Sequence, residues 1–320
     1  IAIHDTTLGP ALGGVRIWPH KTEDDALLDV LRLSRGMTYK SAAAGLSMGG
    51  GKALIMASSQ DKTEAMMRAF GRFVESLGGY YITTEDVGAS VQDIEWVSQE
   101  TRHVTGLPMS QGGSGDPSEM TAYGIYCGMK ACSMDVWQTE SLRDCVIAIQ
   151  GFGKVASCLT EYLVEEGARL IVTDINSAAL SRAREKGLNT LDDPMDVYGL
   201  ECDIFAPCAL GGILSDQTIP SLQCKVVAGS ANNQLLEDHH ASMLQNRGIL
   251  YAPDYIINAG GVINISLEMG RTYDVDAAKE KVSHIYDTIS QVIHMAKTDG
   301  ITTAQAADRI AEDYIAFHAL

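Results

Sequence analysis

The chain has 320 residues, 46% hydrophobic and 20% charged, the values of a globular protein with room for two domains and a real core. Its 24 basic and 41 acidic side chains leave a net charge of −17, which repels phosphate backbones and argues against a nucleic-acid partner. No apolar run reaches the ~18 residues that span a bilayer and no signal peptide is visible, so a cytoplasmic, soluble protein with no membrane partner is expected.

In chain order, Ile1-Ala2-Ile3-His4 already reads as a strand, so a further segment is expected ahead of it. Thr22 is placed to cap a helix that turns Leu27, Leu28, Val30, Leu31 and Leu33 toward a core, with Glu23, Asp24 and Asp25 favourable in its first turn. Lys40 and Lys52 then flank a run ending in Ser47-Met48-Gly49-Gly50-Gly51-Lys52. Consecutive glycines let backbone come close to a small ligand where a Cβ would collide. One lysine to hold a carboxylate and a second for proton chemistry suit an enzyme acting on an amino or keto acid; a glycine-rich turn with two surface lysines is the plainer reading. Ala53-Leu54-Ile55-Met56 follows as a short buried strand, Thr63 to Leu77 as an amphipathic helix ended by Gly78-Gly79, and Tyr80 to Thr84 as a strand. Leu107 to Pro117, rich in Gly, Ser and Pro, marks a boundary or mobile connection. The helix expected from about Ser118 to Trp137 is placed to act as a hinge.

Beyond it, strands and helices alternate regularly. Cys145–Ile149, Leu170–Thr173, Asp203–Ala206 and Lys225–Ala228 are near-continuous apolar strands, which implies a parallel sheet covered on both faces. Helices are expected from Asp276 to Ala296 and from Thr302 to Ala319. Seven cysteines, all between Cys127 and Cys224 and with no C-x-x-C pair, read as reduced thiols and not as a disulfide frame or zinc site; no metal is expected.

Gly151-Phe152-Gly153-Lys154-Val155-Ala156 has the G-x-G-x-x-A form of a dinucleotide fingerprint, and it follows an apolar strand and opens a helix, as the mechanism demands. The first glycine makes the turn, the second admits the pyrophosphate, and the helix N-terminus supplies N–H groups. Asp174 stands 23 residues beyond Gly151, where a carboxylate accepts ribose hydroxyls and repels a 2′-phosphate, favouring NAD over NADP. The turns Pro207-Cys208-Ala209-Leu210-Gly211 and Gly229-Ser230-Ala231-Asn232-Asn233 follow later strands of the same sheet, at its carboxyl edge. The expected cofactor contacts are therefore Gly151, Phe152, Gly153, Lys154, Val155, Asp174, Ile175, Cys208, Ala209, Leu210 and Asn233. Cys208 has no histidine near it in sequence and is not read as a nucleophile.

Four ordered motifs carry a resemblance. Thr7-Leu8-Gly9-Pro10-Ala11-Leu12-Gly13-Gly14, Gly49-Gly50-Gly51-Lys52, Glu85-Asp86-Val87-Gly88 and Pro253-Asp254-Tyr255-Ile256-Ile257-Asn258-Ala259-Gly260-Gly261 resemble signatures of the amino-acid dehydrogenases for glutamate, leucine, phenylalanine and valine, nearest the leucine branch. The resemblance implies an α/β fold of two domains: a substrate and oligomerisation domain (1–117 with about 302–320) and a doubly wound Rossmann-type NAD domain (118–301), the active site in the cleft between them. It further implies that Lys40 binds the substrate carboxylate with backbone at Gly13 and Gly14, and that Lys52 is the catalytic lysine with Asp86 as acid/base partner. Asn232 would lie near the substrate amine, and Asn233 and Asn258 around the nicotinamide and substrate. A lysine that activates water must be able to lose its proton, which a nearby cation and partial burial assist. Leu12, Met37, Thr84, Val262 and Ile265 are candidates for the side-chain pocket; nothing among them pairs a side-chain carboxylate, so a branched aliphatic substrate is favoured over glutamate. Gly270-Arg271-Thr272 departs from the leucine pattern near the pocket mouth. The expected reaction is NAD-dependent deamination of an L-amino acid to a 2-oxo acid and ammonia by a homo-oligomer, dimer or octamer. A phenylalanine- or tryptophan-preferring enzyme and a non-catalytic dinucleotide sensor are the alternatives.

Overall fold

The computed structural model describes residues 1–269 and 273–319, so Gly270-Arg271-Thr272 lie outside the described residues. The chain divides into two compact units, one of Ile1–Pro117, Val262–Ala278 and Ile310–Leu320, the other of Ser118–Gly261 and Lys279–Arg309.

The first unit is built on a four-stranded sheet of order β1-β3-β2-β4, from β1 (Ala2–Asp5), β2 (Ala11–Ile17), β3 (Gly49–Ile55) and β4 (Tyr81–Glu85). β2 is parallel to both β3 and β4, and β1 runs antiparallel to β3. Helix α1 (Glu23–Ala43) starts where Thr22 accepts a hydrogen bond from the Asp25 amide at 3.1 Å. Helices α2 (Glu64–Ser76), capped by Thr63, and α3 (Val91–Ser98), held by a Ser90/Asp93 capping box, complete the segment.

Two expectations are corrected here. The glycine run is neither a turn nor a free loop: Gly49, Gly50 and Gly51 are the first residues of β3, and Gly50 pairs with Asp5 of β1 on one side and Leu12 of β2 on the other. A Cβ on Gly50 would lie 2.1 Å from the Thr38 amide nitrogen of α1, and one on Gly13 would lie 1.8 Å from the Gly51 carbonyl oxygen. The glycines let α1 press onto the sheet and the strands press on each other. In α1 itself, Val30 and Leu33 are buried, whereas Leu27, Leu28 and Leu31 are exposed. Small residues Ser34, Thr38, Ser41 and Ala42 take the inner face, because the side-chain-free strand beneath leaves only a shallow space.

The second unit begins with α4 (Ser118–Trp137). It carries a six-stranded, all-parallel sheet of order β10-β9-β8-β5-β6-β7. The elements in sequence are β5 (Val146–Gln150), α5 (Lys154–Glu166), β6 (Arg169–Thr173), α6 (Ser177–Glu185), β7 (Asn189–Leu191), β8 (Ile204–Pro207), β9 (Val226–Val227), α7 (His239–Asn246), β10 (Leu250–Tyr251) and α8 (Asp254–Ile257). The short strands β7 and β10 were not anticipated. Ala148, Phe205, Val227, Leu244 and Tyr251 form part of the core that seals the sheet. Successive strands leave β5 in opposite directions, so the crevice at the carboxyl ends of β5 and β8 is the switch point where open α/β sheets hold ligands.

Among the described residues there follow α9 (Gly260–Ser266), α10 (Val275–Ser283), α11 (Ile285–Asp299) and α12 (Thr303–His318). The helix expected over 276–296 is thus broken at His284, and α11 runs on to Asp299, where Gly300 closes it at φ 67°. The expected domain limits shift as well. Val262–Ala278 belongs with the first unit, where both oxygens of Glu268 are held by residues 105–114, and the return to that unit comes at Ile310, not 302. Residues 303–309 stay with the second unit because Thr303 donates to the Tyr251 carbonyl at 2.7 Å and Asp308 accepts from Tyr255 at 2.9 Å. Among the described residues no helix is long and apolar enough to cross a membrane.

Candidate functional site

In the first unit the parallel strands bring the chemistry to one level. Register sets Leu12 against Gly50, and Gly14 against Thr84 on the other side, so glycine occupies β2 where β3 and β4 approach each other across it. A Cβ on Gly14 would sit 2.9 Å from the Asp86 Cβ and 2.3 Å from the Glu85 carbonyl oxygen. With that space left open, Lys52 Nζ comes 3.1 Å from Asp86 Oδ2. Lys52 is only 5% exposed.

The structure adds a partner that sequence reasoning missed. Arg16 donates from Nε to Asp86 Oδ2 at 3.0 Å and from Nη1 to Asp29 at 3.1 Å, and His20 Nε2 lies 3.2 Å from the same Asp29. Burial pushes the Asp86 carboxyl up, but the Lys52 and Arg16 cations outweigh it and hold it below the usual carboxylate range. The near charge partner of Lys52 is thus the Asp86 carboxylate. The signal for Arg16 was present: a lone arginine inside the apolar strand Ala11–Ile17 calls for a buried carboxylate.

Lys40 lies half-buried in the last turn of α1. Met37, one turn earlier, has its Cγ 3.4 Å from where a Gly13 Cβ would stand. The pocket candidates Leu12, Met37, Thr84, Val262 and Ile265 all belong to this unit. Thr105 ties two of their neighbourhoods together, its Oγ1 standing 3.0 Å from the Ile265 carbonyl oxygen while its amide donates to the Thr83 carbonyl. Glu268 accepts from Thr105 Oγ1 at 2.8 Å, from the Gly106 amide at 2.9 Å, from the Ser114 amide at 2.9 Å and from Ser114 Oγ. The segment read as a boundary or mobile connection thus ends where the first unit gives way to the second, and the Glu268 carboxylate holds it at Ser114.

In the second unit, Gly151 turns at φ 97°, and a Cβ there would lie 2.7 Å from the Ala209 Cβ, so the turns after β5 and β8 pack directly on each other. Nothing comes within 4 Å of a Cβ on Gly153. Gly153 is also the N-cap of α5 and offers no side-chain hydrogen bond to its first turn, the end of a helix that suits an anion. Asp174 accepts from the Phe152 amide and the Asn176 amide, each at 2.7 Å, which fixes the carboxylate at the end of β6 with lone pairs to spare. Ile175 and Leu210 are both exposed. Arg182, not singled out in the sequence, reaches within 3.5 Å of the Phe152 carbonyl.

On the far turns, Asn258 donates to Asn232 Oδ1 at 2.8 Å and to the Ser230 carbonyl at 3.0 Å, while its own Oδ1 is buried with no partner. Asn233 adopts a left-handed φ of 52°. Burial pushes the Cys208 thiol up, which keeps it protonated and unsuited to nucleophilic attack. The open cradle at Gly153, the uncapped helix and the orphaned amide oxygen of Asn258 fit a dinucleotide with a carboxamide head.

An all-parallel doubly wound sheet with this turn at its switch point, in a chain that also pairs a buried lysine with an aspartate, defines the class: a two-domain, nicotinamide-dependent oxidoreductase. Comparison with known proteins narrows it. Residues 1–103 match the Glu/Leu/Phe/Val dehydrogenase dimerisation domain, and residues 112–188 and 172–317 match the Glutamate/Leucine/Phenylalanine/Valine dehydrogenase domain. The chain is 56% identical to a leucine dehydrogenase of Geobacillus stearothermophilus over 316 residues, covering 98% of this chain and 86% of the relative. It is 48% identical to a phenylalanine dehydrogenase of Bacillus thermotolerans, covering 98% and 84%. The crystal structure of an L-tryptophan dehydrogenase from Nostoc punctiforme superposes with a TM-score of 0.84 at 45% identity, over 99% of this chain and 91% of that one. The chain belongs to the Glu/Leu/Phe/Val dehydrogenase family and is an amino-acid dehydrogenase.

Proposed function

We propose that this enzyme oxidises a branched-chain L-amino acid, leucine first, with NAD and water, giving the 2-oxo acid, ammonia and NADH, and runs the reverse reductive amination. The observation that carries the reading is the pairing of the buried Lys52 with Asp86 at 3.1 Å. Relatives at 52–56% identity that are leucine dehydrogenases favour the aliphatic substrate.

The division of labour follows from the residues. Lys40 and the backbone of Gly13 and Gly14 hold the substrate carboxylate. When bound, NAD accepts the hydride from the α-carbon, which leaves an iminium on the substrate. Lys52 gives up its proton and activates the water that adds to the iminium carbon. Asp86 passes a proton to the departing nitrogen; Arg16 keeps it ionised between turns of the cycle. Asn232 and Asn258 orient the amine and the carboxamide, with Asn233 beside them. Gly151, Phe152, Gly153, Lys154 and Val155 receive the pyrophosphate, Asp174 the ribose, and Ile175, Cys208, Ala209 and Leu210 flank the adenine and nicotinamide halves. Leu12, Met37, Val262 and Ile265, with Thr84, line the side-chain pocket; no basic residue among them meets a second carboxylate, which disfavours glutamate.

The exposed Leu27, Leu28 and Leu31 on α1, within the segment matching a dimerisation domain, support self-association through the first unit, as dimer or octamer in the cytoplasm. The test of the function is NADH formation with leucine, valine, isoleucine, phenylalanine, tryptophan and glutamate. The highest kcat/KM is expected for an aliphatic substrate. A preference for tryptophan or phenylalanine would move the reading to the aromatic branch, and no turnover with any of them would refute it.

A further inference from the structure

Away from the residues assigned to dehydrogenation, the loop after β8 and the start of α7 bring three ligand-type side chains together. Asp216 Oδ1 lies 3.4 Å from His239 Nε2 and 3.6 Å from His240 Nε2, and the three ligand atoms are all within 4.8 Å of one another. These separations are long for hydrogen bonds. They match the edge of a tetrahedron whose ligands stand ~2.0–2.1 Å from a zinc ion, which is roughly 3.3 Å.

The outer contacts point the same way. His240 is 1% exposed, and its Nε2 is buried with no hydrogen-bond partner, aimed at Asp216. Its Nδ1 lies 3.0 Å from the Glu237 carbonyl oxygen, and His239 Nδ1 lies 3.4 Å from Glu237 Oε2. Without metal the Glu237 amide donates to His240 Nδ1 at 2.9 Å; with the proton moved to Nδ1, the Glu237 carbonyl beside it accepts instead and Nε2 turns a lone pair toward Asp216. Metal-binding histidines are characteristically fixed in this manner through their second nitrogen. Asp216 and His239 are largely exposed, which leaves a side open for water.

We propose that Asp216, His239 and His240 bind one divalent transition-metal ion of the zinc class. Two imidazoles and a carboxylate are the donor set that zinc, cobalt and nickel accept, and not one for calcium or magnesium. The ion would tie the loop after β8 to the start of α7. The same two stretches are already joined where the Leu214 amide donates to the Gln234 carbonyl and the Leu236 amide to the Leu214 carbonyl, each at 3.0 Å. Gly212 adds a bond to the Asn233 carbonyl at 2.7 Å. Metal binding therefore stiffens the turn that carries Asn232 and Asn233.

The test is titration of the untagged full chain with Co²⁺ alone, followed by its visible spectrum and by thermal unfolding. One equivalent is expected to bind with weak ligand-field bands of a nitrogen and oxygen set, raising the unfolding temperature. Asp216→Ala and His239→Ala alter exposed side chains, so both variants should fold as the parent does without metal. Each should bind at least ~10-fold more weakly and lose the stabilisation. Unchanged affinity in both variants, a thiolate-to-cobalt absorption, or no saturable uptake at millimolar Co²⁺ would each overturn the site.

Discussion

The strand glycines of the first unit and Gly153 of the second use a missing side chain in opposite ways. In the first unit Gly13, Gly14, Gly50 and Gly51 lie inside strands, and a Cβ on any of them would strike the protein's own chain. In the second, Gly153 opens a helix, and a Cβ there would meet nothing within 4 Å. One set removes side chains so that the molecule can close on itself and let Lys52 reach Asp86 across β2. The other removes a side chain so that something else can enter. A glycine-rich string alone does not tell these apart; what surrounds each missing Cβ does.

Substitutions can break that contrast. Asp86→Asn should have the largest effect, lowering kcat by ~10²–10⁴-fold in steady-state assays while NADH binding holds, because only the first unit's proton chemistry is touched. The same residue predicts an acid limb in stability. Its folded pKa is depressed, so its contribution is present above the unfolded carboxyl pKa and is lost as pH falls through the folded value. Urea unfolding at several pH values should show that loss in the parent and a shallower one in Asp86→Asn.

Gly50→Ala comes next. The new methyl would lie 2.1 Å from backbone of α1, so stability should drop by about 1–3 kcal/mol or more, read by thermal unfolding. Gly153→Ala should keep the melting temperature and instead raise the KM for NAD several-fold, with the amino-acid KM little changed. A stability loss at Gly153 with no effect at Gly50 would invert the contrast. The smallest expected effect sharpens it: Gly36, in the middle of α1 with nothing within 4 Å of its Cβ position, should gain roughly 0.8–1 kcal/mol on change to Ala.

How much was legible in the sequence tracks how local the cause is. The cap at Thr22, the helix beginning at about Thr63 and the turn at Gly151 are decided within a few residues, and the structure places each where the pattern predicts. The inner face of α1 was misread because Leu27, Leu28 and Leu31 also share a helical face, while the true inner face is mostly small and polar. Glycine has no side chain to mark burial, so Gly49-Gly50-Gly51 carried no strand signal. Arg16 and Asp86 are 70 residues apart, and Glu268 meets Ser114 across 154. No spacing rule reaches that far. The Lys52–Asp86 pairing was anticipated only through the resemblance, and the geometry now supplies its physical reason in the bare strand at Gly14.

The central claim is that Lys52 performs the water chemistry while the second unit independently holds the cofactor. Its most direct test is Lys52→Ala, measured twice on one preparation: turnover with leucine and NAD, and NADH affinity by fluorescence titration. The account predicts turnover reduced by at least ~10²-fold with NADH affinity unchanged. Substantial residual turnover, or NADH affinity lost along with it, would contradict the claim.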